Sequence, residues 1–98
     1  MATSKLHSFD FEVFGKVQGV FFRRETQKKA AKLGVCGWVM NTQTMTVVGT
    51  AQGSKEMLQQ MKHWLSKVGS KRSRISKCDI KNERTLSALE FSDFSVRV

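Results

Sequence analysis

Proline is missing from this chain altogether, and acid is scarce: 8 Asp and Glu stand against 17 Lys and Arg, a net charge of +9 in 98 residues. That balance turns the molecule toward anions. Nucleic acid, acidic membrane and phosphorylated small molecules all qualify, and charge alone does not choose among them. Long apolar runs are missing too. No stretch is long enough to span a bilayer, and the first residues lack the apolar block of a secretory signal, so the expected compartment is the cytosol. Cysteine is limited to Cys36 and Cys78, which form no CxxC pair and have neither His7 nor His63 at a metal-ligand spacing. Both are expected to be reduced, largely buried thiols rather than a disulfide. There is no HExxH, no Walker lysine motif, no GxSxG and no pair of carboxylates spaced for acid–base work. Any catalysis must then run without an obvious nucleophile, metal or base, and His7 and His63 are read as structural or exposed. Internal repeats and low-complexity tracts are absent as well, and the length suits a single domain, 1–98, with one core.

What is present is concentrated in Gly15-Lys16-Val17-Gln18-Gly19-Val20-Phe21-Phe22-Arg23, where no acidic residue interrupts the chain between Glu12 and Glu25. Two glycines frame a short loop between a strand pattern and a helix pattern. Such a loop turns its N–H groups inward at the positive end of a helix, which makes an anion pocket suited to phosphate. The plainer reading is a strand-to-helix turn whose glycines only supply unusual backbone angles. Arg23 favours the pocket, because a guanidinium one turn inside the helix can fold back and meet two phosphate oxygens at once. Arg24, turned away by about 100° on the helix, reads as a solvated charge.

The rest of the pattern supplies a frame. Residues 6–14 alternate, with Phe9, Phe11 and Val13 on one face and Ser8, Asp10 and Glu12 on the other, as a half-buried strand requires. Phe22, Thr26, Ala30 and Leu33 follow at helical spacing, and Gly34 is the expected stop. Residues 35–41 and 46–51 read as strands joined by the hairpin Thr42-Gln43-Thr44-Met45. Ser54 is a candidate N-cap for a helix whose apolar stripe runs through Met57, Leu58, Met61, Trp64, Leu65 and Val68. Gly69 to Arg74 reads as a basic, flexible loop, followed by strands at 75–84 and from Phe94 through Val96 to Val98. The order βαββαβ, with two helices on one face of an antiparallel sheet, is the α+β ferredoxin-like sandwich. Trp38 and Trp64 are expected to pack against or partly cap its core. Gly37-Trp38-Val39-Met40-Asn41-Thr42 ends the second strand. An asparagine there ordinarily satisfies a turn. If this strand pairs close to the first, the Asn41 amide also reaches the glycine loop, where it can hold a water by donating to one group and accepting from another.

Taken together, these segments resemble the acylphosphatase family. Residues 15–23 match its GxVQGVxFR signature and residues 37–42 its GWVxNT signature, and the similarity runs on through Gln52-Gly53, Ser73-Arg74-Ile75 and Phe94-Ser95-Val96-Arg97. The resemblance implies hydrolysis of carboxyl-phosphate anhydrides to a carboxylate and inorganic phosphate by a metal-free cytosolic monomer, with no cofactor and no covalent intermediate. It implies that Arg23 binds the phosphoryl group, that Asn41 orients the attacking water, and that the loop of Gly15, Lys16, Val17, Gln18, Gly19 and Val20 holds the phosphate through the amides of residues 16–20. Small acyl phosphates and aspartyl-phosphorylated proteins both fit as substrates.

Three positions depart from that pattern. Met45 stands where a hairpin glycine is usual, Val98 replaces a terminal tyrosine, and Lys71-Arg72 replaces a region that often carries proline. The competing reading is a basic ferredoxin-like module that binds nucleic acid on exposed sheet aromatics, with Lys67 to Arg74 on the phosphates. It lacks the RNP1 pattern, and Phe9, Phe11 and Phe94 read as core. An inactive relative used for regulation or protein contact is a third reading, and the intact Arg23 and Asn41 speak against it.

Overall fold

The alternation at the start of the chain carries further than the pattern required: β1 spans Leu6–Lys16, and its inward residues Phe9, Phe11 and Val13 are almost fully buried. The computed structural model describes residues 5–97, so the Val98 departure and the last residue of the final predicted strand lie outside the described residues. The following elements are α1 (Phe22–Leu33), β2 (Cys36–Asn41), β3 (Val47–Ser54), α2 (Lys55–His63), β4 (Arg74–Leu86) and β5 (Phe94–Arg97). Phe22, Ala30, Leu58, Met61 and Leu65 pack with the inward face of the sheet into one core, which leaves its other face open.

The local signals explain most boundaries. Ser54 accepts a hydrogen bond from the Met57 N–H and so caps α2 as its type predicts. Gly34 closes α1 with paired bonds, Val35 N–H to the Ala30 carbonyl at 2.8 Å and Gly34 N–H to the Ala31 carbonyl at 3.3 Å. Regular α-helix ends at His63, and Trp64–Val68 continue as a wider π turn in which Gly69 N–H reaches the Trp64 carbonyl. The wider turn rotates the last residue of the stripe out of the core, so Val68 is exposed while Trp64 packs 5.5 Å from the Phe22 ring.

The sheet order is β4-β1-β3-β2-β5, and two expectations are corrected by it. β2 does not lie beside β1, because β3 is inserted between them and pairs with both. Nor is the sheet wholly antiparallel, since β5 pairs with β2 in parallel, Gly37 opposite Phe94 through Met40 opposite Arg97. Parallel pairing requires a long return path, and the chain after β4 crosses from one edge of the sheet to the other. Buried Gln52 fastens that crossover: its Nε2 donates to Glu90 Oε1 at 2.7 Å, and the Glu90 N–H donates to its Oε1 at 2.9 Å. Arg84 donates to the same carboxylate, and these bonds hold Glu90 below the usual carboxylate range.

Both cysteines are free thiols. Cys36 is buried and Cys78 only partly so, and burial pushes the Cys78 thiol up to about 11, which keeps it protonated at neutral pH. Trp38 does not join the core. It lies on the open face of the sheet, where the Arg97 guanidinium stacks over its ring at 4.3 Å.

Met45 does sit in the left-handed region, with φ 68, and its side chain is exposed. An L residue pays about 1–2 kcal/mol there, partly offset by the greater unfolded-state freedom of glycine. Met45→Gly is therefore expected to raise unfolding free energy by about 0.5–1 kcal/mol in urea denaturation. A lower stability for this variant would contradict the strain assignment.

Candidate active site

The glycine-framed segment divides in two in the folded chain. Gly15 and Lys16 are the last rungs of β1, paired with Ile75 and Arg74 of β4 beside a bulge. A Cβ on Gly15 would meet the Arg74 carbonyl oxygen at 2.0 Å, so this glycine permits close approach of two strands rather than lining a pocket. The loop proper is Val17-Gln18-Gly19-Val20. Gly19 turns it with φ 73, while Val17 and Val20 are buried and root it in the core. Phe21 then caps α1 in the left-handed conformation with no side-chain hydrogen bond to the helix. The first N–H groups of α1 therefore keep no side-chain acceptor, and their partial positive charge faces the loop.

Beside this loop is a cleft of about 320 Å³. Val17, Gly19 and Arg23 line it together with Asn41, so the structure brings both sequence-predicted side chains to one cavity. The register explains how, despite the inserted strand. Asn41 pairs with Val47, and Val47 with Val13, which sets Asn41 level with Val13, three residues before the end of β1 at Lys16. Gln18 closes the gap across the start of β3: its Nε2 donates to the Thr42 and Thr46 carbonyls, both at 2.9 Å. The loop is thereby tied to the hairpin that carries Asn41. Within that hairpin Thr42 and Thr46 share a hydroxyl–hydroxyl hydrogen bond of 2.6 Å, and Thr46 donates on to Glu12.

Two features of the side chains bear on chemistry. Asn41 Oδ1 is buried and has no hydrogen-bond partner among the described residues. A buried acceptor left unsatisfied costs roughly 1–3 kcal/mol, so such an atom marks a place built to receive a donor. Arg23 lies in the first turn of α1, nearer its start than the sequence suggested, and its Nη1 donates to the Arg97 carbonyl of β5 at 3.3 Å. No carboxylate lines the cleft, and among the described residues none forms an ion pair with Arg23. The guanidinium is held by a neutral acceptor, and its charge is not met by a carboxylate among the described residues.

Further residues border the cleft. Arg24 is exposed, as expected of a solvated charge, and also lines it, as do Phe21, Gln27 and Val96. Gln27 also ties α1 to β5 through its Nε2 bond to the Phe94 carbonyl at 3.1 Å. The helix and the final strand approach only through tertiary packing, so no local pattern announced these contacts. For Gln18 there was a signal: a long amide between two buried valines has to find polar partners.

Residues 9–96 match the family model described as Acylphosphatase. The chain belongs to the acylphosphatase family. It is 56% identical to mouse (Mus musculus) Acylphosphatase-2 over 95 residues, covering 97% of this chain and 90% of the relative. It is 53% identical to human (Homo sapiens) Acylphosphatase-2 over 98 residues, with 99% of each chain covered. Among solved structures it resembles an acylphosphatase from Bacillus subtilis, at TM-score 0.85, 31% identity and coverage of 94% and 99%. A second acylphosphatase structure, from Coxiella burnetii, aligns at TM-score 0.82 and 32% identity, covering 99% of this chain and 100% of that one. The ferredoxin-like arrangement of an acylphosphatase therefore holds here, with the mixed sheet described above.

Proposed function

We infer that this chain is an enzyme that hydrolyses acyl phosphates, and that the cleft between the 17–20 loop, Arg23 and Asn41 is where it does so. The observation that carries this reading is that one cavity is lined both by Arg23, which forms no ion pair among the described residues, and by Asn41, whose amide oxygen has no partner among them. In the proposed mechanism, loop and helix-terminal N–H groups hold the phosphoryl oxygens, joined by the Arg23 guanidinium. Lys16 and Gly15 support the loop from the end of β1 rather than touching the ligand. The Asn41 Oδ1 accepts from a water and aims its oxygen at phosphorus. The P–O bond to the acyl group breaks as the new one forms, the carboxylate leaves with the electron pair, and a water proton passes to a phosphoryl oxygen. A carboxylate is a good leaving group and phosphoryl transfer asks chiefly for positioning and charge stabilisation, so neither a strong base nor a covalent nucleophile is required.

Inorganic phosphate is the second product under this reading, and small acyl phosphates and aspartyl-phosphorylated proteins both remain in scope as substrates. A monomer working in the cytosol is the state we propose; among the described residues no helix is long and apolar enough to cross a membrane. The nucleic-acid reading finds less support. On the open face of the sheet, where bases would stack, Glu12 and Asp79 are directly opposed and ion-paired with Lys81 and Lys77 respectively, and the Arg97 guanidinium covers the Trp38 ring. Such a face offers neither an uninterrupted basic track for a phosphate backbone nor a free aromatic for a base.

Benzoyl phosphate supplies the test. The chain should consume it, and inorganic phosphate should inhibit competitively. Failure to hydrolyse benzoyl phosphate, or inhibition that does not compete with it, would overturn the proposal.

A further inference from the structure

Phe21 carries a double cost in a place where the core gains nothing from it. Its backbone is left-handed, with φ 59, and its side chain is 70% exposed. For a bulky residue that conformation is strained, and strain retained at the wall of a cavity points to a use there. The other apolar groups of the cleft offer less surface: Val17 and Phe22 are each 1% exposed and belong to the core, and Val96 is partly buried against it. Met45 shares the strain and the exposure, but it sits at a hairpin tip and does not line the cleft. Phe21 immediately precedes the first turn of α1, one residue from the buried Phe22 and two from Arg23. A phosphoryl group held by Arg23 and the loop therefore has its acyl substituent within the same cleft as the Phe21 ring.

Resting on the acyl phosphatase reading above, we propose that Phe21 is a specificity-determining residue: its ring is the platform for the acyl group and favours flat aromatic acyl phosphates over small aliphatic ones. The physical basis is area burial plus offset or edge-to-face contact between rings, neither of which an acetyl group can match. The ring touches the part of the substrate that does not react, so its contribution falls chiefly on KM.

The experiment compares kcat/KM for benzoyl phosphate and acetyl phosphate in the parent chain, Phe21→Leu and Phe21→Gly, together with urea unfolding of each. The benzoyl-to-acetyl ratio is expected to fall about fivefold in both variants, as the loss of one aromatic contact implies, with the change in KM. Phe21→Gly is also expected to unfold at higher urea than Phe21→Leu, because only glycine relieves the left-handed backbone. A ratio within twofold of the parent's in both variants overturns the platform assignment. A parent chain that hydrolyses neither substrate overturns the function itself, a result distinct from the first. Phe21→Leu keeps the comparison valid should the glycine variant fold poorly.

Discussion

Arg23→Gln should lower kcat/KM for benzoyl phosphate on the order of 100-fold or more, with the unfolding midpoint little changed. The size follows from what the guanidinium does. A preorganised donor aimed at developing charge is worth about 10²–10³ in rate when removed, and Arg23 adds a full charge to the hydrogen bonds. The stability expectation follows from its surroundings. Arg23 is partly exposed, and among the described residues its one side-chain hydrogen bond goes to the Arg97 carbonyl. Glutamine retains the first part of the stem, and the single long bond it gives up lies at a partly exposed site, where a hydrogen bond contributes little. Steady-state kinetics paired with urea unfolding separates the two effects. Activity near the parent's would remove Arg23 from the mechanism; a large loss of stability would make its role structural.

Asn41→Ala should separate turnover from anion binding. In the mechanism above, Asn41 touches the water and not the phosphoryl group. Its loss should reduce kcat by about 100-fold, the scale expected when a reacting group is no longer held in line, while the inhibition constant for phosphate stays within a few-fold of the parent's. The variant also removes a buried oxygen that has no partner, so no protein hydrogen bond to that oxygen is sacrificed. Weakened phosphate inhibition at unchanged kcat would reverse the assignment and make Asn41 a phosphate ligand.

Periodicity made the frame of this fold legible. Phe9, Phe11 and Val13 alternate because one face of β1 is buried, and Met57, Leu58, Met61 and Trp64 repeat at helical spacing because α2 lies on that face. Ser54 and Gly34 marked helix ends through backbone bonds that any helix must satisfy. Strand order was not legible. Which of β2 and β3 lies beside β1 depends on long-range pairing, and the local pattern of each strand suits either place. The sites of buried amides show the same limit. Gln52 reads in sequence as a break between strand and helix, yet it is fully buried and holds the β4–β5 crossover at Glu90. Its partners lie 38 and 44 residues away.

The candidate site was legible in part. Two short motifs brought Arg23 and Asn41 forward, and the fold carries both to one cleft although β3 lies between β1, which leads into the loop before Arg23, and β2, which ends at Asn41. The glycine-framed segment is divided by the fold: Gly15 and Lys16 end β1 and pair with β4, and the loop itself begins at Val17. Arg24 is exposed, as helical rotation indicated, but it also borders the cleft, which wraps the start of α1 and reaches as far as Gln27 and Val96. A helical wheel describes directions around one axis and contains no information on where a neighbouring strand ends.

A crystal structure with inorganic phosphate bound tests the central claim most directly. The account predicts the ion against the amides of residues 17–20 and the start of α1, with the Arg23 guanidinium on its oxygens and Asn41 Oδ1 facing it across a bound water. Phosphate seated instead on the basic 69–74 loop, with the cleft at Arg23 and Asn41 unused, would contradict it.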